Sequence, residues 1–210
     1  MVGKINRPFL TDHVRAILFG GKLNSTQVSG IDAIIDYWEK NYAENDDRWL
    51  AYILGTTFHE AARTMQPIAE FGGVKYFTDM YDPLPTGKRP EVAKRLGNNQ
   101  VGDGPNFRGR GYVQITGRRN YTDWTARLKM PGVDLVNKPE LALETRVALP
   151  IIFEGMMQGT FTTRKLSDYF NKTKEDWVGA RAIVNGKDKD VQIAHYGRTF
   201  YAGIGYTTGT

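Results

Sequence analysis

Two carboxylic acids ten residues apart, Glu60 and Glu70, are the side chains best suited to do chemistry. Glu60 lies in a mostly apolar run whose Trp49, Tyr52, Ile53 and Phe58 crowd several faces, which predicts a buried helix. An acid inside such a helix is costly unless something uses or pairs it. Apolar surroundings would keep Glu60 protonated long enough to donate to a leaving group, and Ala61 and Ala62 leave room beside it. Pro67 is predicted to end the helix near Gln66, because its ring removes a donor and clashes with the preceding turn. Glu70, just before Phe71-Gly72-Gly73, is then free to return from a mobile loop, where solvation keeps it ionised. On an unbroken helix the two acids would point well away from each other. One protonated and one ionised carboxyl is the requirement of glycosidic hydrolysis. Direct attack by water needs the pair roughly 6.5–9.5 Å apart, a covalent route about 5–5.5 Å. Acids on separately moving elements favour the first, inverting route. The structural alternative is that His59 and Glu60 form a hydrogen-bonded pair that only holds the core.

The second distinctive stretch is Phe107-Arg-Gly-Arg-Gly-Tyr-Val-Gln-Ile-Thr-Gly-Arg-Arg-Asn-Tyr121. As a dinucleotide loop it has Gln114 where the third glycine belongs, and no strand–helix–strand unit surrounds it. As a nucleic-acid surface it offers Arg108, Arg110, Arg118 and Arg119 among aromatics, but the overall charge is modest and no nucleic-acid fold signature accompanies it, so no nucleic-acid partner is expected. As a sugar-binding floor, Gln114, Thr116 and Asn120 present amide and hydroxyl groups, while Tyr112 or Tyr121 covers an apolar sugar face.

The elements that must position these residues are helical. Apolar spacing predicts helices over 9–18, with Thr11 or Asp12 as cap, over 25–40, and after the Asn45-Asp46-Asp47 cap. Residues 74–106 hold Pro83, Pro85, Pro90 and Pro105 with several glycines, and read as a long, mostly irregular excursion with one short helix around 91–96. Its Asp79 and Asp82 compete with Glu70 for the role of base. Helices follow over 121–128, 141–157, 166–170, 177–184 and 191–201. The class is mainly α, with one domain over 1–210 and no separate wall-binding module.

Hydrophobic residues make up 40% of the 210, enough for a real core, and 28 basic against 23 acidic residues give a net charge of +5. That balance suits an anionic polymer, membrane face or bacterial wall without selecting one. The absence of cysteine suggests synthesis in a reducing cytoplasm. His13, His59 and His195 are scattered, so no zinc set and no metal are expected. The first residues have no apolar signal core, and no apolar run approaches membrane-spanning length, so neither a signal peptide nor stable membrane insertion is expected.

Residues 107–121 resemble the Gly-Arg-Gly-x-x-Gln-Ile/Leu-Thr/Ser…Asn-Tyr signature of glycoside hydrolase family 19. Thr57-Phe58-His59-Glu60 is similar to that family's acid-bearing helix. Val136-Asn-Lys-Pro-Glu-Leu-Ala-Leu143 and Arg181-Ala-Ile-Val-Asn-Gly186 resemble two later segments, all in the family's order. The short, cysteine-free form resembles its phage and prophage endolysin branch. The resemblance implies a lysozyme-like, two-lobed α fold with a substrate cleft, and hydrolysis of β-1,4 bonds in an N-acetylated glycan. It implies Glu60 as general acid and Glu70 as the nearest equivalent of the base. It also implies a substrate-side role for His59 and sugar contacts from Gln114, Thr116, Asn120 and Asn185. No cofactor is implied. The expected partner is bacterial peptidoglycan, reached in the periplasm by a monomer made in the host cytoplasm.

Overall fold

The computed structural model describes residues 3–207. The described residues form helices α1 (Arg7–Ile17), α2 (Ser25–Asn41), α3 (Asp47–Glu60), α4 (Val74–Tyr81), α5 (Pro90–Leu96), α6 (Asp103–Asn106), α7 (Arg118–Leu128), α8 (Thr145–Gln158) and α9 (Asp190–Gly203). Short 3-10 turns cover Pro139–Leu143, Leu166–Asp168 and Gly179–Ile183. A two-stranded antiparallel sheet joins β1 (Ile68–Ala69) to β2 (Arg110–Gly111), with Ile68 opposite Gly111. The fold is mainly α. The chain divides into two compact units, one of Met1–Gln66 with Ile152–Thr210, the other of Pro67–Ile151.

In the first unit α3 is the core helix, and every residue from Leu50 to Phe58 is buried. It packs along α9 at a glycine crossing, where a Cβ on Gly55 would lie 2.6 Å from the backbone nitrogen of Gly197. Phe153 stacks on Tyr42 at 5.5 Å and packs beside Tyr37 and Trp38. Asp46 caps α3 by accepting from the Arg48 amide, as expected of that cluster. Asn24 and Gln27 cap α2 reciprocally. The cap of α1 is Asn6 rather than Thr11 or Asp12; Thr11 lies inside the helix and donates to the Arg7 carbonyl.

α3 ends at Glu60, not near Gln66. Ala62, Arg63 and Met65 take left-handed backbone, with φ of 48°, 64° and 58°. The cause is tertiary. The turn is drawn onto α2, where Gln27 Nε2 donates to the Arg63 carbonyl and Gln66 Nε2 donates to that of Thr26. Gly30 admits it: a Cβ there would sit 2.0 Å from the Met65 oxygen.

In the second unit the expected irregular excursion between 74 and 106 contains α4, α5 and α6. Its prolines and glycines punctuate helices rather than prevent them. Pro90 opens α5, and Gly97 closes it with φ of 72°. Asp82 gathers the segment, accepting from the amides of Gly102 (2.9 Å) and Gly104 (2.6 Å) and the Thr86 hydroxyl (3.0 Å). Asp103 pairs with Arg118, whose guanidinium lies 4.7 Å from the Phe107 ring centroid. Burial alone would push the Asp103 carboxyl up, but the Arg118 hydrogen bond and the Asn99 and Gln100 amides outweigh it and hold it below the usual range.

The long helix expected over 141–157 is divided into the 3-10 turn at Pro139–Leu143 and α8, because Glu144 is extended between them. The helices expected over 166–170 and 177–184 are single 3-10 turns.

Candidate active site

Glu60 is the last helical residue of α3. Its Oε1 accepts from Nη1 of Arg181 at 2.6 Å, with the two side chains 19% and 3% exposed. The apolar helix end expected around Glu60, with buried Phe58 and Ala61 on either side of it in the chain, therefore also faces a guanidinium. Arg181 is set by the 3-10 turn Gly179–Ile183, and its Nε donates to the Asp188 carbonyl at 2.9 Å. Arg181 opens the segment 181–186, whose resemblance to the family points to Asn185 and not to the arginine. An arginine among alanine, isoleucine and valine needs an acid partner, and that was the available signal.

His59, half-buried beside Glu60, does not pair with it as the structural alternative had it. Burial lowers its pKa, more than the adjacent Glu60 raises it. Asn185 is exposed, and its amide donates to the Arg181 carbonyl at 3.1 Å, so one short segment carries both residues.

Glu70 follows β1 and is anchored rather than loose. Oε1 accepts from the Tyr81 hydroxyl at 2.8 Å and Oε2 from the Gly109 amide at 3.0 Å, while the Glu70 amide donates to the Gly109 carbonyl at 2.8 Å. Burial and the neighbouring Glu70 carboxylate both raise the Tyr81 phenol, which keeps it a donor. Gly109 allows this approach, since a Cβ there would meet Gln114 Oε1 at 2.8 Å and Glu70 Oε2 at 3.1 Å.

The rival acids are otherwise engaged. Asp82 is 1% exposed and engaged by three donors. Asp79 is held between Lys75 and Lys88, each at 2.8 Å, and their hydrogen bonds keep its carboxyl below the usual range.

The motif residues divide by burial. Tyr112 and Tyr121 are 1% and 0% exposed, so neither has a free face for a sugar, and both are core. The Tyr121 hydroxyl accepts from Arg110 at 2.8 Å and donates to the Arg108 carbonyl at 2.7 Å. Gln114, with φ of 53°, braces the sheet, its Nε2 donating to the carbonyls of Ile68 and Gly111. Thr116 donates to the Gln114 carbonyl, and Asn120 to that of Thr116. These three remain partly exposed, with Gln114 Oε1, Thr116 Oγ1 and Asn120 Oδ1 as acceptors.

Among the described residues no cluster of His, Cys, Asp or Glu is suited to a metal ion, and no helix is long and apolar enough to cross a membrane. Each unit thus carries one anchored carboxyl suited to acid–base chemistry, Glu60 in the first and Glu70 in the second.

Chitinase C from Streptomyces griseus HUT6037 superposes with a TM-score of 0.55 at 15% identity, over 98% of this chain and 78% of that one. A mutant of chitinase C gives 0.56 at 16%, over 98% and 95%. Such identities establish likeness of fold alone. A glycosyl hydrolase family 19 domain-containing protein of Haemophilus influenzae is 37% identical over 84 residues, which take 35% of this chain. The match spans 42% of that relative's length. No protein-family model matches the chain.

Proposed function

We propose that this chain, like chitinase C in its fold and like a family 19 domain-containing protein in about a third of its sequence, is a glycoside hydrolase that cuts β-1,4 bonds in bacterial peptidoglycan. The observation that carries the reading is the anchoring of Glu60. Its Oε1 is fixed by Arg181, which leaves Oε2 to carry a proton to the leaving oxygen. Glu70 is the base. Tyr81 and Gly109 orient its carboxylate, and each oxygen keeps a lone pair that can take a proton from water. Water attacks directly, with inversion. Gln114, Thr116, Asn120 and Asn185 contact the sugars. The protein acts as a monomer, as an endolysin of phage type made in the host cytoplasm and acting on the periplasmic wall, to which its charge of +5 is suited.

Glu60→Gln keeps the size and the bond to Arg181 but cannot supply the proton. It should lower the rate of lysis of outer-membrane-stripped Gram-negative cells by about 10²–10⁴ and lower the melting temperature modestly, because the buried Arg181 keeps a hydrogen-bond partner but loses a charged one. Full activity in the variant would remove the mechanism. Activity lost only in proportion to the fraction unfolded would return Glu60 to a structural role. A second reading, hydrolysis of chitin, is favoured by the names of the superposable chitinases. Mass spectrometry of the new reducing ends from wall and from N-acetylglucosamine polymers separates the two.

A further inference from the structure

We propose that the pocket at the end of α3 binds a carboxylate appended to the glycan, so that the protein favours acid-bearing wall strands over neutral N-acetylglucosamine polymers. The proposal rests on the peptidoglycan reading above and names a substrate feature for it.

The pocket, of about 360 Å³, lies within the first unit and is lined by Phe58, His59, Ala62, Arg63, Gln192 and Tyr196. The lining holds a fixed cation and no acid. Among the described residues Arg63 makes no ion pair, whereas Arg181 is committed to Glu60. The Arg63 guanidinium lies instead 5.5 Å from the Phe58 ring centroid, folded back over the preceding helical turn. Left-handed backbone at Ala62 and Arg63 produces that return, and non-glycine residues adopt such backbone at a cost. The turn is held by the Arg63 amide on the Phe58 carbonyl at 2.9 Å and by Gln27 on the Arg63 carbonyl at 3.0 Å. Strain retained next to an acid is characteristic of a working surface.

Across the pocket α9 supplies Gln192, whose amide can donate, and Tyr196, whose ring meets Phe58 edge-on at 4.8 Å. A guanidinium with neighbouring amide and imidazole donors over apolar walls suits a carboxylate on a short carbon stem. His59 lines the pocket and feels the charge of Glu60, so the pocket lies near the proposed acid. Muramic acid carries such a group, a lactyl ether whose carboxyl is either free or extended by a peptide with carboxylates of its own. Chitin carries neither.

The test is a nuclear magnetic resonance titration of the full-length Glu60→Gln variant. The probes are the stem-free disaccharide of N-acetylglucosamine and muramic acid, the same disaccharide with its stem peptide, and diacetylchitobiose. One acid or both should shift Phe58, His59, Arg63 and Tyr196 to saturation, and diacetylchitobiose should not. A response to the disaccharide alone assigns the lactyl carboxylate; one confined to the peptide form assigns the stem. Adding Arg63→Asn, which tolerates left-handed backbone, should raise the dissociation constant about tenfold, and Arg63→Lys should restore part of it. Gln192→Ala, at an exposed position, should weaken binding on an independent element. Absence of pocket shifts with both acids, or equal shifts with diacetylchitobiose, would overturn the carboxylate site while wall hydrolysis by the unmodified protein stood. Saturating shifts in a protein that cleaves no wall would keep the site and remove the hydrolase reading.

Discussion

Asp82 serves three donors with one buried carboxylate, so its worth is structural. Asp82→Asn puts an amide NH₂ where N–H donors already converge. It should cost about 2–3 kcal/mol in urea unfolding, against a few tenths for Asp79→Asn at the surface. An Asp82→Asn protein of full stability and no activity would instead make Asp82 the base. At this scale the sequence was informative about acids and misleading about rings. Glu60 stood out because a carboxyl in an apolar helix demands a reason. Tyr112 or Tyr121 beside the polar Gln114, Thr116 and Asn120 suggests a sugar face, but the same mixture arises when the rings turn into a core and only the polar side chains stay partly exposed. Arg181 was missed because its partner lies 121 residues away.

Among the elements, α3 depends on its crossing with α9. Gly55→Ala would ordinarily favour a helix by about 1 kcal/mol. Here the added carbon meets a backbone nitrogen at 2.6 Å, and backbone cannot rotate aside as a side chain can. The clash should outweigh the propensity gain and lower stability by about 2 kcal/mol net, measured by urea unfolding. A neutral or stabilising result would mean that the two helices separate freely. Local rules read α2 well, since its apolar spacing and its Asn24–Gln27 cap lie within the helix itself. They misread the end of α3, because Pro67 is visible in the chain whereas the space above Gly30 is not. They misread residues 74–106 for a related reason. A proline at a helix start and a glycine at its end are the same letters that mark a loop, and Asp82, which gathers the segment, was weighed only as a base.

For the whole molecule, a charge of +5 on 210 residues gives a long-range pull that salt weakens. Raising ionic strength from about 0.05 to about 0.3 M should slow lysis of whole cells several-fold and barely change cleavage of short neutral oligosaccharides. Equal slowing of both would discard electrostatic steering. The order of the two units along the chain bears on the birth of the protein. Residues 67–151 form a unit from one uninterrupted segment, so it is complete on the ribosome as soon as that segment has emerged. The first unit is not. α3 ends at residue 60, and its cover, α9, begins at residue 190. At ordinary rates of synthesis this almost wholly buried helix therefore waits on the order of ten seconds for its partner. During that interval the nascent chain is a client for chaperones, and a message cut short before α9 would yield a sticky fragment rather than a smaller enzyme.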